Sequence, residues 1–300
     1  MYKRFSFFKI LMLIYILCLI GWIVQYVLGA QNLLLLGYKY GTNFEHFNSL
    51  LRLPSIVGTP GNFSILLALL GFILEKCIPN EKKHYKWILN LTTLLFLILS
   101  TKRFALLFWV IAQLVYFLVS TFRKSSKRTV LFNNSMIFLF LPILTYTFYF
   151  ILDRFNYFAS NSLFARFKLW GEYLYSPFSL EGIIGLGLGK VGAASRRMEE
   201  LNYNSLNYSV DNQYLAIYQQ VGIIGLLITF ALILIIGKKL LFTYVHNGEK
   251  NNLTALSLFS GLIIVSFFTN ILELYPFNVF LWMFVGYNLL NEKTINKGVE

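Results

Sequence analysis

The chain carries eight apolar runs that reach or approach the length needed to lie across a bilayer: residues 8–29, 63–78, 87–100, 104–122, 130–152, 213–237, 253–270 and 278–290. Lipid offers no hydrogen bonds to an exposed backbone, so only helices or closed barrels satisfy their own amides and carbonyls there. A helix needs about 20 apolar residues to cross a hydrocarbon core about 30 Å thick. The pattern predicts an all-α polytopic integral membrane protein of about eight transmembrane helices, forming a single membrane domain over residues 1–300. The second, third and last runs are short, which fits tilted, broken or re-entrant helices. The first is too long for a signal peptide, and no small-residue cleavage site follows it. Only 13% of residues are charged against 57% hydrophobic, which excludes an ordinary soluble domain, where about a quarter are charged.

The net charge of +13 would point to nucleic acid in a soluble protein. In a membrane protein, Lys and Arg of short loops mark the cytoplasmic side instead. With the N-terminus inside, the inner segments hold 16 basic residues, and the short outer ones hold Lys39, Arg52, Lys102 and Arg103. Six more lie in residues 153–212, a stretch too long for its charges to set topology. Both termini are therefore expected in the cytoplasm, and no nucleic-acid partner is needed to explain the charge. Cys18 and Cys77 read as small apolar residues of separate spans rather than as a disulfide or metal site.

Residues 153–212 form one large extracytoplasmic loop within the membrane domain. Its aromatics, among them Phe167, Trp170, Tyr173 and Tyr175, argue for order. Leu163, Phe167, Trp170 and Leu174 recur at helical spacing with Arg166 and Glu172 off the stripe, the pattern of an interfacial helix, or equally of one packed on the outer surface. Gly187, Gly189 and Gly192 formally fit a dinucleotide fingerprint, but no strand–helix context supports it. The same glycines allow a plain turn, close backbone approach, or exposed amides able to cradle an anion. Asp211 and Asn212 precede an apolar run, where either caps the next helix or Asp211 serves as a general base. Arg52, Arg103 and Arg166 come from three separate segments of the outer face. One alone would read as snorkelling or paired; three shift the balance toward an anionic ligand.

In order along the chain stand an Arg before a Pro/Gly loop and a span, a Ser-x-x-Arg turn between two spans, an Arg-x-x-x-Trp helix and a Gly-x-Gly run. Then follow Asp211-Asn212-Gln213-Tyr214-Leu215 and Val221-Gly222-Ile223-Ile224-Gly225. This succession resembles the O-antigen ligase and polymerase superfamily of bacterial membrane glycosyltransferases, from about residue 52 to 234. The resemblance implies an undecaprenyl-diphosphate-linked oligosaccharide as substrate, no cofactor and no metal. A flippase and a chain-length regulator are the protein partners it implies, and the location is the bacterial inner membrane. Carried over, Arg103 and Arg166 grip the diphosphate and Arg52 adds a phosphate or saccharide contact. Trp170, Glu172, Tyr173, Asn212 and Tyr214 contact substrate, and Asp211 is a candidate base beside Glu172 and Glu181. Asp211 stands where the ligase branch carries a histidine, and the only outer histidine, His46, lies in an earlier loop. That departure favours a polymerase that joins repeat units. Family members commonly have ten to fourteen spans, more than the eight counted here. A transporter is the competing class, disfavoured by the absence of internal repeats and the near-absence of mid-span charges. A non-catalytic envelope partner is a third.

Overall fold

The structure, a computed structural model, describes residues 4–47, 50–124, 168, 170–171, 174, 176, 178–191 and 210–290. The expected span at 130–152, most of the 153–212 loop, and Arg166, Glu172 and Tyr173 lie outside the described residues. In chain order the elements are α1 (Arg4–Leu35), β1 (Glu45–Phe47), β2 (Leu50–Arg52), α2 (Pro60–Cys77), α3 (Lys83–Leu99), α4 (Arg103–Lys124), α5 (Leu180–Ile184), α6 (Gln213–Asn247), α7 (Lys250–Val265) and α8 (Phe277–Leu290). The described residues are mostly helical, and the chain divides into two compact units, one of residues 1–115 and 233–300 and the other of residues 116–232.

The first unit is built around α2. Thr59 caps it by accepting the Asn62 N–H at 3.2 Å, and Pro60 occupies the first turn, where its missing N–H costs nothing. Phe63 to Glu75 are then buried without interruption. A helix apolar on every side is one enclosed by others, and α1, α3, α7 and α8 all pack on it. Gly71 of α2 lies so close to Thr93 of α3 that an added Cβ would overlap the Thr93 side chain. The Thr93 hydroxyl meets Tyr15 of α1 at 2.8 Å, so three helices are tied at one level. The 3-10 turn Ser55–Val57 is fastened to α1 as well: the Ser55 hydroxyl donates to the Cys18 carbonyl at 2.6 Å, and Gln25 Nε2 donates to the Ser55 carbonyl at 2.9 Å.

Four described helices are long and apolar enough to cross a membrane: Phe7–Leu35, Pro60–Cys77, Arg103–Phe122 and Gln213–Asn247. They overlie the runs at 8–29, 63–78, 104–122 and 213–237. Helix α3, of 17 residues, and α7 and α8, of 16 and 14, coincide with three further runs but are shorter. The backbone of α1 breaks at Gly29 (φ 78°), where the first run ends.

The run beginning at residue 213 does not form one straight helix, as its continuous hydrophobicity suggested. Gly222 (φ 67°, ψ −169°) interrupts α6, and Tyr214 and Phe230, equidistant from it in sequence, stack with ring centroids 5.3 Å apart. On a straight helix these residues would stand about 24 Å apart. The limb 213–221 therefore folds back on the limb after Gly222. A hydropathy pattern cannot register such a turn, because a glycine among leucines and isoleucines leaves the mean unchanged.

Replacing Gly71 by leucine should force α2 and α3 apart at Thr93. We expect a loss of about 1–3 kcal/mol, read as a lowered thermal midpoint of the detergent-solubilised protein.

Candidate functional site

The residues expected to act on substrate fall into two groups, one in each compact unit. In the first unit, β1 and β2 pair antiparallel with Glu45 opposite Arg52. From this hairpin the Arg52 side chain reaches the turn between α3 and α4. Its Nε donates to the Thr101 hydroxyl at 2.6 Å, Nη2 to the Thr101 carbonyl at 3.0 Å and Nη1 to Glu45 Oε2 at 3.3 Å. Lys102 Nζ approaches the same carboxylate oxygen at 2.7 Å. The guanidinium carbon of Arg52 lies 4.4 Å from the Phe47 ring centroid, and that of Arg103 lies 5.6 Å from the same centroid. Arg52 and Arg103, from separate segments of the sequence, thus share one aromatic ring, with Lys102 alongside.

Pairing energies alone do not account for this arrangement. Partly exposed ion pairs contribute about 0.2–1 kcal/mol, so their worth here is geometric. Thr101 is buried with φ at 53°, a left-handed conformation that costs about 1–2 kcal/mol in a non-glycine residue. The bidentate grip of Arg52 on Thr101 holds that turn, which sets Arg103 at the first residue of α4. Arg52, expected to bind substrate, is in the structure the brace of the turn that presents Arg103. A lysine cannot replace it, having no planar fork. Glu45, Phe47 and Thr101 were not singled out from sequence. The only signal was the Glu45-to-Arg52 spacing, which reads as a short hairpin once the pairing is known.

In the second unit the cap of α6 is Asn212: its Oδ1 accepts the N–H groups of Tyr214 and Leu215 at 3.0 and 3.1 Å. Asp211 is half-buried, one residue ahead of the cap. The Asn212 oxygen is thus spent on backbone, and the buried Tyr214 ring on Phe230. Trp170 packs on a small core of Val191, Val210, Leu215 and Tyr218. Glu181 is exposed in the first turn of α5, whose cap is the Ser179 hydroxyl accepting the Gly182 N–H at 3.0 Å.

The two glycine motifs of the sequence interlock. Leu186 and Gly187 donate their amides to the carbonyls of Gln219 and Gln220 at 2.8 and 3.0 Å, and the Gly189 amide donates to Gln220 Oε1 at 3.0 Å. Those two carbonyls belong to the last turn of the limb 213–221, which the break at Gly222 deprives of its next helical amides. A Cβ on Gly222 would overlap the Ile183 carbonyl, and one on Gly185 would overlap the peptide of Gln220. Two of these loop amides are thus occupied in capping a helix and that of Gly189 in holding the Gln220 side chain.

A model of a family described as O-antigen ligase matches residues 88–230, from within α3 to the second limb of α6. The match supports the O-antigen ligase and polymerase superfamily, with its glycosyltransferase-like function in polysaccharide biosynthesis; with the four apolar helices it indicates a bacterial membrane protein. No curated protein matches the chain. Arg103, Asp211 and both glycine motifs lie inside the matched stretch, whereas Arg52 and Glu45 lie before it.

Gly222→Ala should destabilise the second unit by more than about 2 kcal/mol, because a left-handed φ and a backbone overlap coincide. Limited proteolysis should show new cleavage between residues 185 and 222. Gly225→Ala, at a helical glycine of the same motif, carries the overlap with Val221 but no left-handed φ, and should be milder.

Proposed function

We propose that this chain, which matches the O-antigen ligase family over residues 88–230, joins polyprenyl-diphosphate-linked oligosaccharide repeat units into a surface polysaccharide, an O-antigen, capsule or exopolysaccharide. The site lies at the outer face of the cytoplasmic membrane, with both termini inside. The observation that carries the reading is the convergence of Arg52, Lys102 and Arg103 on Phe47 and Glu45 at the head of α4. Two cations on one carboxylate, with Arg103 across the Phe47 ring from Arg52 at the end of a helix fit to span a membrane, suit a lipid-borne diphosphate.

In this reaction an acceptor hydroxyl attacks the anomeric carbon of the donor sugar, forming the new glycosidic C–O bond. The bond from that carbon to the diphosphate oxygen breaks, and polyprenyl diphosphate departs with the electron pair. Arg103 and Arg166 offset the charge that grows on the departing diphosphate, a form of electrostatic stabilisation that fixed donors supply without reorganisation. Asp211 takes the proton of the hydroxyl, with Glu172 and Glu181 as the other carboxylates in contention. Tyr173 and Trp170 contact the saccharide, and a flippase supplies the substrate while a chain-length regulator limits the product. The description of the matched family favours a second reading, ligation of the glycan to a different acceptor.

Purified protein given only a lipid-linked repeat unit separates these readings. A polymerase elongates it, a ligase requires a second acceptor, and an exporter forms no glycosidic bond. With expression and insertion verified, Arg103→Ala and Arg166→Ala should each lower polymer formation by about a hundredfold or more; normal polymer in both variants would overturn their role. Asp211→Asn leaves the Asn212 cap in place, so stability should hold while the rate falls by about 10²–10⁴. An unchanged rate moves the base to Glu172 or Glu181.

A further inference from the structure

A second cationic site lies at the other end of α3, away from the turn that holds Arg103. Between α2, α3 and α4 is a cavity of about 450 Å³, with walls that are chiefly apolar. Lys83, Lys86, Trp87 and Asn90 of α3, Glu75 of α2 and Trp109 of α4 line it together with Leu91 and Leu94. The Glu75 carboxylate is already engaged, by Lys76 at 2.6 Å and by the Gln113 amide at 3.3 Å, so it does not oppose an incoming anion as a free charge would. The indole N–H of Trp109 is buried and has no hydrogen-bond partner among the described residues.

The order of these residues along α3 identifies the ligand. Lys83, Lys86, Trp87, Asn90, Leu91 and Leu94 fall on one helical face, and along it the chemistry grades from cation through indole to aliphatic. The face is open to its surroundings, with Trp87 69% and Leu91 56% exposed. From Lys83 to Leu94 the helix rises about 16 Å, close to the half-thickness of a bilayer core of about 30 Å. Free phosphate would find mostly apolar walls here. A phospholipid finds a match for its headgroup, its interface and its chain in that order. We propose that this cavity is a binding site for an anionic phospholipid of the leaflet that the lysine count assigns to the cytoplasm. Its phosphate lies at Lys83 and Lys86, and an acyl chain runs along Trp87, Leu91 and Leu94. This is separate from the diphosphate site and does not depend on the reaction being polymerisation.

Native mass spectrometry of the full chain in detergent, titrated with phosphatidylglycerol, phosphatidylcholine or glycerol phosphate, tests it. Phosphatidylglycerol should bind with defined stoichiometry and more tightly than phosphatidylcholine. The double variant Lys83→Gln/Lys86→Gln should weaken it roughly 30-fold, at about 1 kcal/mol for each lysine. Lys238→Gln/Lys239→Gln, a lysine pair on α6, should leave it unchanged. Equal weakening by both lysine pairs would overturn the proposal in favour of diffuse surface charge. Competition by glycerol phosphate as strong as by the lipid, or equal binding of phosphatidylcholine, would overturn it too.

Discussion

A peptide carbonyl released from a helix in an apolar environment must find a donor, and this requirement shapes both ends of the chemistry. Where α3 gives way to α4, the donor is a side chain: the Arg52 guanidinium takes the Thr101 carbonyl and hydroxyl together. Where α6 folds back, the donors are backbone: the amides of Leu186 and Gly187 take the carbonyls of Gln219 and Gln220. Water would do either task at a protein surface. Here the chain supplies its own partners, and it draws them from segments distant in sequence. Each bond is worth only about 1 kcal/mol net, yet leaving either carbonyl unmet costs more, so the turns and the segments that cap them form together.

Much of the helical layout was legible in hydropathy, because lipid and a buried helical core impose the same apolar demand. The helices α1, α2, α3, α4, α7 and α8 fall where apolar runs of the sequence placed them. The fold-back in α6 was not legible, since Gly222 differs from its neighbours in allowed backbone angle rather than in polarity. The short hairpin at Glu45 and Arg52 was hidden for a related reason: three-residue strands carry too little alternation to stand out.

For the site, residue type was informative and partnership was not. That Arg52 and Arg103 belong together followed from their side of the membrane, and their common contact with Phe47 agrees. The division of labour between them did not follow, because the fork of Arg52 could as well have served a phosphate as a carbonyl. Asn212 and Tyr214 show the same ambiguity, their polar or aromatic groups being engaged by the α6 backbone and by Phe230. The glycines of these segments looked like loose punctuation, yet Gly185 and Gly222 each sit where the other segment's backbone leaves no room for a Cβ.

The fold-back also makes a lever of the limb 213–221. Its fulcrum is Gly222, pinned by the glycine loop, and Asp211 rides at the far end of an arm about 15 Å long. A rotation of about 4° at the fulcrum therefore carries the carboxylate about 1 Å, which for the general base proposed above is enough to slow the reaction about a hundredfold. Gly185, which touches nothing that reacts, sits at the pivot where such a rotation is set.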